Sequence, residues 1–269
     1  SEVPEFTQIT EFLMKSPWLG LLGGTILTCA IQSSAATIAI VQQMYGAGAI
    51  GLNIALPFLF GSNIGTTITG QLIAINITAL APLFAFIGVA MIVFFKSKKL
   101  DAIGTVIGGL GILFIGMETM SKAMVPLRTM PEFVGLISKF QNPLIGIIVG
   151  ALFTALIQSS SASVGILQAL AKSGVMTLSS SIYVLFGQNI GTCIPSVLAS
   201  IGTSKNAKRT TIIHLSFNII GTVIFVTISL LFPFAHLIES ITPNNVAAQI
   251  ANVHTIFNIT TTLLLLPIG

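Results

Sequence analysis

Two short polar motifs recur within this chain at one constant spacing, and both lie in otherwise apolar sequence. Residues 32–36 read Gln-Ser-Ser-Ala-Ala, and residues 158–162 read Gln-Ser-Ser-Ser-Ala. Residues 61–67 read Gly-Ser-Asn-Ile-Gly-Thr-Thr, and residues 187–193 read Gly-Gln-Asn-Ile-Gly-Thr-Cys. Each motif returns 126 residues later, so the distance between the two motifs is the same in both copies. Two motifs at a single offset indicate that the fold contains one module twice.

The duplication divides the chain into three parts. We expect repeat one at residues 1–100, repeat two at residues 101–232 and a C-terminal transmembrane helix at residues 233–269. Repeat two begins with an apolar helix near residues 101–124 that has no counterpart in repeat one. We therefore expect a further helix ahead of residue 1 in the native protein.

The low charge of the chain decides its solvent. Only 7% of the residues are Asp, Glu, Lys or Arg, against about 25% in an ordinary soluble domain. The mean hydropathy is +0.99, and a soluble fold with so few charges could not cover its surface. The net charge of +4 forms no continuous basic stripe, so nucleic acid is not expected as a partner. The composition predicts an all-α polytopic membrane protein in the lipid bilayer.

Eight apolar segments follow one another, and most are long enough to cross a hydrocarbon core of about 30 Å at 1.5 Å per residue. They fall near residues 18–44, 52–72, 77–95, 101–124, 143–171, 178–201, 210–232 and 247–268. The duplicated polar motifs lie in the middle of four of these segments. Polar groups and glycines at that depth are tolerated where a helix breaks and lines a cavity. Pro57 and Pro195 fit such breaks, so each repeat is predicted to contain a discontinuous transmembrane helix.

The basic clusters at 96–99 and 205–209 help to decide the topology. If the Gln-Ser-Ser segments turn back as re-entrant hairpins, three crossings separate the repeats, and both clusters lie on the cytoplasmic side. If these segments cross the membrane, the second cluster moves outside. The positive-inside rule therefore favours hairpins and inverted repeats, although residues 125–142 would then carry Arg128 and Lys139 on the outside.

The polar motifs contain hydroxyls, amides and glycine-rich backbone but no charged group. Such a set has nothing that titrates near neutrality, so it cannot perform acid–base catalysis alone, and we expect no enzyme. Hydroxyls, side-chain amides and backbone N–H groups at half-helix N-termini can hold an oxyanion. Carbonyl and hydroxyl oxygens can hold a small cation such as sodium, which would supply the positive charge that the protein lacks. Serine and threonine also serve simply to pack membrane helices, but the duplication of both motifs favours a binding function.

Other polar residues favour structural roles. Residues 214–218 and 254–258 both place a His and an Asn four positions apart, on one helix face, and interhelical hydrogen bonding is favoured over a proton relay. Glu118 is expected to reach the membrane interface. Cys29 and Cys193 lie in apolar segments and are predicted to be buried thiols. The sequence has no Cys/His cluster with metal-ligand spacing, so neither a metal centre nor an organic cofactor is expected.

Taken together, the motifs resemble those of the type II sodium/phosphate cotransporter family in its compact bacterial form. The paired Gln-Ser-Ser motifs, the Gly-x-Asn-Ile-Gly-Thr motifs about 30 residues later and the His-x-x-Phe-Asn motifs carry this resemblance over nearly the whole chain. The resemblance implies sodium-coupled uptake of inorganic phosphate by alternating access in the cell (inner or plasma) membrane. It also implies re-entrant hairpins with the Gln-Ser-Ser motifs at their tips. Phosphate, sodium and the lipid bilayer are the implied partners, with sodium as the coupling ion, and a homodimer is left open.

The resemblance also implies site residues. The phosphate ligands would be Ser33, Ser34, Asn63, Thr66, Ser159, Ser160, Asn189 and Thr192. The residues shared with sodium, or leaning toward it, would be Gln32, Thr67, Gln158 and Ser161. Two departures concern these ligands: Ala35 stands where the other copy has Ser161, and Cys193 stands where the other copy has Thr67.

Three alternatives stay open on the sequence. The first is a symporter for another oxyanion or with another coupling cation. The second is a phosphate sensor that does not transport. The third is an intramembrane hydrolase with a serine nucleophile, which lacks an evident base because no motif links His214 or His254 to Ser33 or Ser159.

Overall fold

The computed structural model describes residues 8, 11–13, 15–75, 77–95 and 97–267, and all regular structure in these residues is helical. The helices, numbered in chain order, are α1 Pro17–Ile31, α2 Ser34–Gly46, α3 Leu52–Ala74, α4 Ala81–Phe94, α5 Lys98–Met124, α6 Pro131–Ser138, α7 Pro143–Ile157, α8 Ser160–Lys172, α9 Leu178–Gly191, α10 Ile194–Ala199, α11 Lys205–Leu231, α12 Phe234–Ile241 and α13 Val246–Leu265. Short 3-10 turns lie at Thr78–Leu80, Val125–Thr129 and Lys139–Gln141.

By length and composition, three helical stretches in the described part of the chain can each cross a membrane, namely Lys98–Thr129, Leu178–Ala199 and Lys205–Leu231. Two bent pairs of helices, Leu52–Ala74 with Thr78–Phe94 and Pro131–Gln141 with Pro143–Ile157, raise that number to as many as five. The all-helical fold and its apolar helices identify a polytopic membrane protein, as predicted. Lys96, one residue of the first basic cluster, and the outer ends of the first and last predicted domains lie outside the described residues.

Each Gln-Ser-Ser segment forms two helices rather than one. Helices α1 and α7 have 15 residues each, and helices α2 and α8 have 13. Gln32 (φ 53°) and Gln158 (φ 56°) end the first helix of each pair in the left-handed conformation. Ser33 and Ser159 cap the second helix, since their Oγ atoms accept hydrogen bonds from the backbone N–H groups three residues later, at Ala36 and Ala162.

Both pairs are helical hairpins, because their two ends lie together. The start of α1 at Pro17 lies beside the start of α3 at Leu52 and Asn53. The end of α2 is joined to the start of α3 by only five residues, 47–51. The start of α7 lies likewise beside α9, since a Cβ at Gly146 would come 2.7 Å from the Tyr183 Cβ. We call the pair α1–α2 hairpin one and the pair α7–α8 hairpin two.

The two hairpins reach α3 from opposite ends. The base of hairpin one lies at the N-terminal end of α3, in a cavity that Leu266 also lines. The base of hairpin two lies at the C-terminal end of α3, where Lys172 shares a cavity with Ile75 and Asn245. The tips of both hairpins meet between these two ends.

The predicted break in repeat one is absent. Helix α3 is continuous from Leu52 to Ala74 and contains Pro57 within it. Its counterpart breaks after Gly191, and α10 begins at Ile194. Pro195 lacks the N–H that would bond to the Gly191 carbonyl and continue the helix, and Thr192 and Cys193 form a turn between the two helices. Thr69 stands at the equivalent position of α3, so nothing interrupts the helix there. The discontinuous helix predicted for repeat two is confirmed, and the one predicted for repeat one is wrong.

Candidate functional site

The hairpin tips enclose a cavity of about 160 Å³. Its lining contains no charged side chain and comes from both repeats, with hydroxyls and amides predominating. The lining residues are Gln32, Ser33, Ser34, Ala35, Gln158, Ser159, Ser160, Ser161, Thr192 and Pro195. The structure therefore brings together eight of the twelve residues that the sequence predicted for the site.

Four helix ends converge on this cavity. Helices α2 and α8 begin beside it, so their first backbone N–H groups and the positive ends of their dipoles face it. Helices α1 and α7 end beside it and bring the opposite partial charge. The cavity can thus offer N–H and hydroxyl donors to an anion, and carbonyl oxygens to a cation, within one space.

The predicted residues Asn63 and Asn189 do not line the cavity. Both side chains are buried, with exposures of 5% and 6%. Asn63 Oδ1 lies 3.2 Å from His214 Nε2, and Asn189 Oδ1 lies 3.0 Å from His254 Nε2. An amide oxygen can only accept, so Nε2 carries the proton in each imidazole ring. The Nδ2 donors of both asparagines are buried without a partner among the described residues.

The predicted residues Thr66 and Thr67 also lie away from the lining. The Thr66 hydroxyl donates to the Ser62 carbonyl at 3.0 Å, and the Thr67 hydroxyl donates to the Ile64 carbonyl at 2.8 Å. Thr192, the counterpart of Thr66, makes the same type of bond to the Gln188 carbonyl at 2.9 Å, yet it reaches the cavity. The two equivalent threonines differ in their surroundings because the helix of repeat two breaks after Gly191, whereas α3 continues past Thr66. The ligand roles of these residues remain predictions.

The His-x-x-Phe-Asn motifs dock on the duplicated motifs in the same way in both repeats. Phe217 packs on Phe60 with ring centroids 4.8 Å apart, and Phe257 stacks on Phe186 at 5.5 Å. Phe60 and Phe186 each lie three residues before the asparagine that the histidine holds. A Phe–Phe contact and a His–Asn hydrogen bond therefore fix one helix against another at each site, as the interhelical role predicted for these histidines requires.

The final asparagine of each motif is bonded to its own helix. Asn218 Nδ2 donates to the His214 carbonyl at 3.0 Å, and Asn258 Nδ2 donates to the His254 carbonyl at 2.9 Å. Asn218 Nδ2 also lies 3.3 Å from the Cys193 sulfur. These asparagines support the docked helices and do not reach the cavity.

Some functional candidates were missed in the sequence. Thr69 Oγ1 donates to Gln32 Oε1 and lies 3.2 Å from Ser161 Oγ, so it links the two hairpin tips. Thr69 has no duplicated partner, and the repeat comparison therefore gave no signal for it. Within each hairpin, a buried hydroxyl pair joins the two helices: Thr28 to Thr37 at 2.9 Å, and Thr154 to Ser163 at 2.6 Å. The 126-residue offset relates these two pairs and could have revealed them.

The remaining polar predictions have clear places. Glu118 pairs with Lys172 on hairpin two at 2.8 Å and with Lys122 at 3.5 Å. The pair with Lys172 ties the end of α5 to the base of hairpin two, and the Glu118 side chain is 28% exposed. Cys193 is buried as predicted, whereas Cys29 is only partly buried, and both are free thiols.

The sequence profile described as "Na+/Pi-cotransporter" matches residues 3–122 and again residues 129–255. The two matches begin 126 residues apart, which is the offset of the duplicated motifs. Both repeats therefore match the same family profile.

Curated relatives cover almost the whole chain. The chain is 30% identical to the uncharacterized protein YqeW of Bacillus subtilis over 98% of its own length and 86% of the relative. It is 26% identical over 97% of its length to YjbB of Escherichia coli, which is provisionally named an inorganic phosphate export protein. The chain spans about half of YjbB, 48%. A segment covering 38% of the chain is 32% identical to 15% of the human sodium-dependent phosphate transport protein 2B.

No solved structure matches the chain. The family of the chain is identified by the profile match to both halves and by YqeW, of which the match covers 86%. These matches cover far more than half of the sequence. The chain belongs to the Na+/Pi-cotransporter family.

Proposed function

We propose that the protein is a secondary active transporter that carries inorganic phosphate across the membrane together with sodium by alternating access. The observation that carries this proposal is the uncharged, hydroxyl-lined cavity between the two hairpin tips. The family match and the phosphate-transport names of YjbB and protein 2B support phosphate as the substrate.

Phosphate would bind through donors that both repeats supply. Ser34 and Ser160 are the first residues of α2 and α8, where hydroxyls and free backbone N–H groups lie side by side. Ser33 and Ser159 already accept a cap hydrogen bond, and their O–H groups remain able to donate. The buried Nδ2 groups of Asn63 and Asn189 would add donors if the helices shift during transport.

Sodium would compensate the charge of phosphate. No lysine or arginine lines the cavity, so a bound anion meets only neutral dipoles and helix ends. A co-bound cation would supply the missing positive charge, and its departure would weaken phosphate binding. This dependence is a physical basis for coupling the two fluxes.

The hairpin arrangement supports alternating access and inverted repeats. Hairpin one has its base at one end of α3 and hairpin two at the other, while the tips share one cavity. Withdrawal of one hairpin would open the cavity toward one side of the membrane, and withdrawal of the other would open it toward the opposite side. Such paired gating around a fixed site is the usual behaviour of inverted-repeat transporters.

The direction of net transport is a separate question. An inward sodium gradient would drive uptake, which is the direction that the sequence resemblance implied. The name of YjbB favours export as a second candidate. A symporter can run either way, since the gradients alone set the sign of the flux.

Purified protein in proteoliposomes tests this function. Radiolabelled phosphate is supplied outside with either sodium or potassium, in vesicles that start free of sodium, and sulfate serves as the competing oxyanion. We expect accumulation that needs inward sodium and that unlabelled phosphate competes away more strongly than sulfate. Phosphate flux that is equal in sodium and potassium would refute sodium coupling, and binding without flux would identify a sensor. Loading sodium and labelled phosphate inside then measures export in the same preparation.

A further inference from the structure

We propose that α11 binds an anionic phospholipid, with the lipid head group at Lys205, Lys208 and Arg209 and an acyl chain along the lipid-facing side of the helix. The proposal goes beyond phosphate transport, because it concerns a molecule of the bilayer. Helix α11 begins at Lys205, and the Ser204 hydroxyl caps it by accepting a hydrogen bond from the Ala207 N–H group at 3.3 Å. The three basic side chains therefore belong to the start of a capped helix of 27 residues.

The basic side chains share one face of α11. Lys208 and Arg209 lie three and four residues after Lys205, which is the spacing that makes helix residues neighbours on the surface. All three side chains are exposed. The same face continues with Ile212 and Val223, which are exposed apolar residues. This face is therefore apolar along the helix and basic at its N-terminal end.

The opposite face of α11 is buried in the protein. His214 and Phe217 contact α3, and Phe225 packs against Phe186 of α9. This packing sets the rotation of α11 and leaves the face with the basic residues to the bilayer. A helix of 27 residues is about 40 Å long, whereas the hydrocarbon core is about 30 Å thick. The first turn of α11 therefore reaches the depth of the lipid head groups.

The described residues offer no carboxylate that balances these charges. The sequence contains no Asp or Glu between Glu132 and Glu239, and both salt bridges in the described part of the chain involve Glu118. Cations in the first turn of a helix lie at the unfavourable, positive end of its dipole. Like charges three or four residues apart also repel each other. An anion bound at this turn would offset both costs.

Helix α5 provides the comparison within the same chain. It also has 27 residues and begins with two lysines, Lys98 and Lys99, but Asp101 lies in its first turn. The first turn of α11 has no acidic residue. The positive-inside rule explains why basic residues occur at the ends of membrane helices. It does not require them to share the lipid-facing side or to lack an acidic neighbour.

The ligand that fits this face combines an anionic group with an apolar chain. A guanidinium and two ammonium groups suit the phosphate of a lipid head group, and Arg209 Nη1 is held 3.4 Å from Asn206 Oδ1 beside it. The exposed apolar face that follows, from Ile212 onward, suits an acyl chain. A free phosphate ion would use only the basic end. Each basic residue at a membrane surface favours an anionic head group by about fivefold.

The lipid site adjoins the base of hairpin one. Ser204 Oγ donates to the Gly46 carbonyl at 3.1 Å, at the end of α2. A Cβ at Gly46 would lie 3.1 Å from the Ala207 Cβ, so the two segments are in close contact. A lipid bound to the first turn of α11 would stabilise the arrangement in which hairpin one is joined to this helix.

Native mass spectrometry of the full chain in detergent tests the proposal, with phosphatidylglycerol as the anionic lipid and phosphatidylcholine as the comparison. The double variant Lys208→Gln with Arg209→Gln removes two charges from α11. The control, Lys98→Gln with Lys99→Gln, removes the same number from exposed positions on α5. We expect the wild type to prefer phosphatidylglycerol. We expect the Kd for this lipid to rise by about tenfold or more in the α11 variant only.

A phosphatidylglycerol with a photoreactive acyl chain locates the bound lipid. Cross-links should fall on α11 near Ile212 and Val223, and they should be lost in the α11 variant and kept in the α5 control. If thermal unfolding shows that the α11 variant does not fold, Lys205→Gln with Lys208→Gln supplies the same comparison.

Three results would overturn the proposal. They are equal binding of the two lipids, equal loss of affinity in the α11 and α5 variants, and displacement of the lipid by inorganic phosphate as readily as by unlabelled phosphatidylglycerol. The last result would identify the site as one for a free oxyanion. None of these measurements depends on phosphate transport, so they separate the lipid site from the proposed function.

Discussion

His214 Nε2 lies 3.2 Å from Asn63 Oδ1, and this hydrogen bond joins α11 to α3 in the buried interior. His254 and Asn189 repeat it between α13 and α9 at 3.0 Å. In each pair the imidazole donates a hydrogen bond to the amide oxygen of the asparagine. The Nδ2 group of the same asparagine has no partner in the described structure. The histidines therefore determine which end of each asparagine is available to a ligand, and that end can only donate.

Removal of either histidine should weaken phosphate binding. His254→Ala leaves the Asn189 oxygen without its donor and frees the amide to rotate. Loss of one partner in a buried hydrogen bond costs about 1–3 kcal/mol, so we expect the KM for phosphate to rise by roughly tenfold at saturating sodium. The phosphate dependence of uptake in proteoliposomes measures this effect.

Two further variants make the histidine prediction specific. His254→Gln keeps an N–H donor and should restore part of the phosphate affinity. His236→Ala removes an exposed histidine on α12 and should change nothing. If His254→Ala folds, as judged by its thermal unfolding in detergent, and keeps the wild-type KM, the positioning role is disproved.

The N-cap serines at the hairpin tips can separate folding from binding. Ser159→Asp retains an acceptor for the Ala162 N–H group, and aspartate is as good an N-cap as serine. The new carboxylate would face the phosphate cavity and repel the anion. We expect thermal stability close to wild type but loss of phosphate uptake.

Ser159→Ala supplies the comparison for the charged variant. It removes the cap and should lower the free energy of unfolding by about 1 kcal/mol, while it reduces phosphate affinity without abolishing uptake. Stability assays and uptake on the same preparations distinguish the two effects. Normal phosphate uptake by Ser159→Asp would show that hairpin two does not bind the anion.

The buried hydroxyl pairs within the hairpins should stabilise the tips. Thr28 and Thr37 are both fully buried and bonded at 2.9 Å. Thr37→Val leaves the Thr28 hydroxyl unsatisfied, which costs about 1–3 kcal/mol. We expect the destabilisation of the double variant Thr28→Val with Thr37→Val to be smaller than the sum of the two single-variant destabilisations. The reason is that the double variant leaves neither hydroxyl of the pair buried without its partner. A double-mutant cycle of thermal unfolding measures this coupling, and strict additivity would show that the bond contributes little.

The sequence predicted the hairpins from the positions of the two basic clusters and from the family resemblance. The structure adds a local reason, because a Gln-Ser-Ser motif combines a residue that ends one helix with a strong N-cap for the next. The structure places the helix end at Gln32 and Gln158 and the caps at Ser33 and Ser159. The membrane class followed from the low charged fraction and the high mean hydropathy, because lipid is the solvent that suits such a surface.

What the sequence could not reveal depends on contacts between the repeats. Thr69 lacks a duplicated partner, and its role becomes visible only when both hairpin tips reach α3. The sequence did not predict the continuity of α3, because Pro57 and Pro195 were both expected to mark a helix break. Pro57 lies in the second turn of α3, whereas Pro195 follows the motif at the point where the chain must leave the helix. The effect of a proline depends on which backbone hydrogen bond its missing N–H removes. The position of a proline in the sequence does not show which bond that is.

Close backbone contact between each hairpin and its neighbouring helix leads to a prediction about glycines. A Cβ at Gly150 would overlap the Val184 carbonyl and lie 3.0 Å from the Gln188 nitrogen, so α7 could not approach α9 as it does. We expect Gly150→Ala to destabilise the protein by about 1–3 kcal/mol or more. Gly109→Ala is the matched control on α5, where a Cβ meets nothing within 4 Å, and alanine is the better helix former by about 1 kcal/mol. Thermal unfolding in detergent should therefore show a lower midpoint for Gly150→Ala and an equal or higher one for Gly109→Ala. Equal midpoints for the two variants would mean that the hairpin does not pack through its glycines.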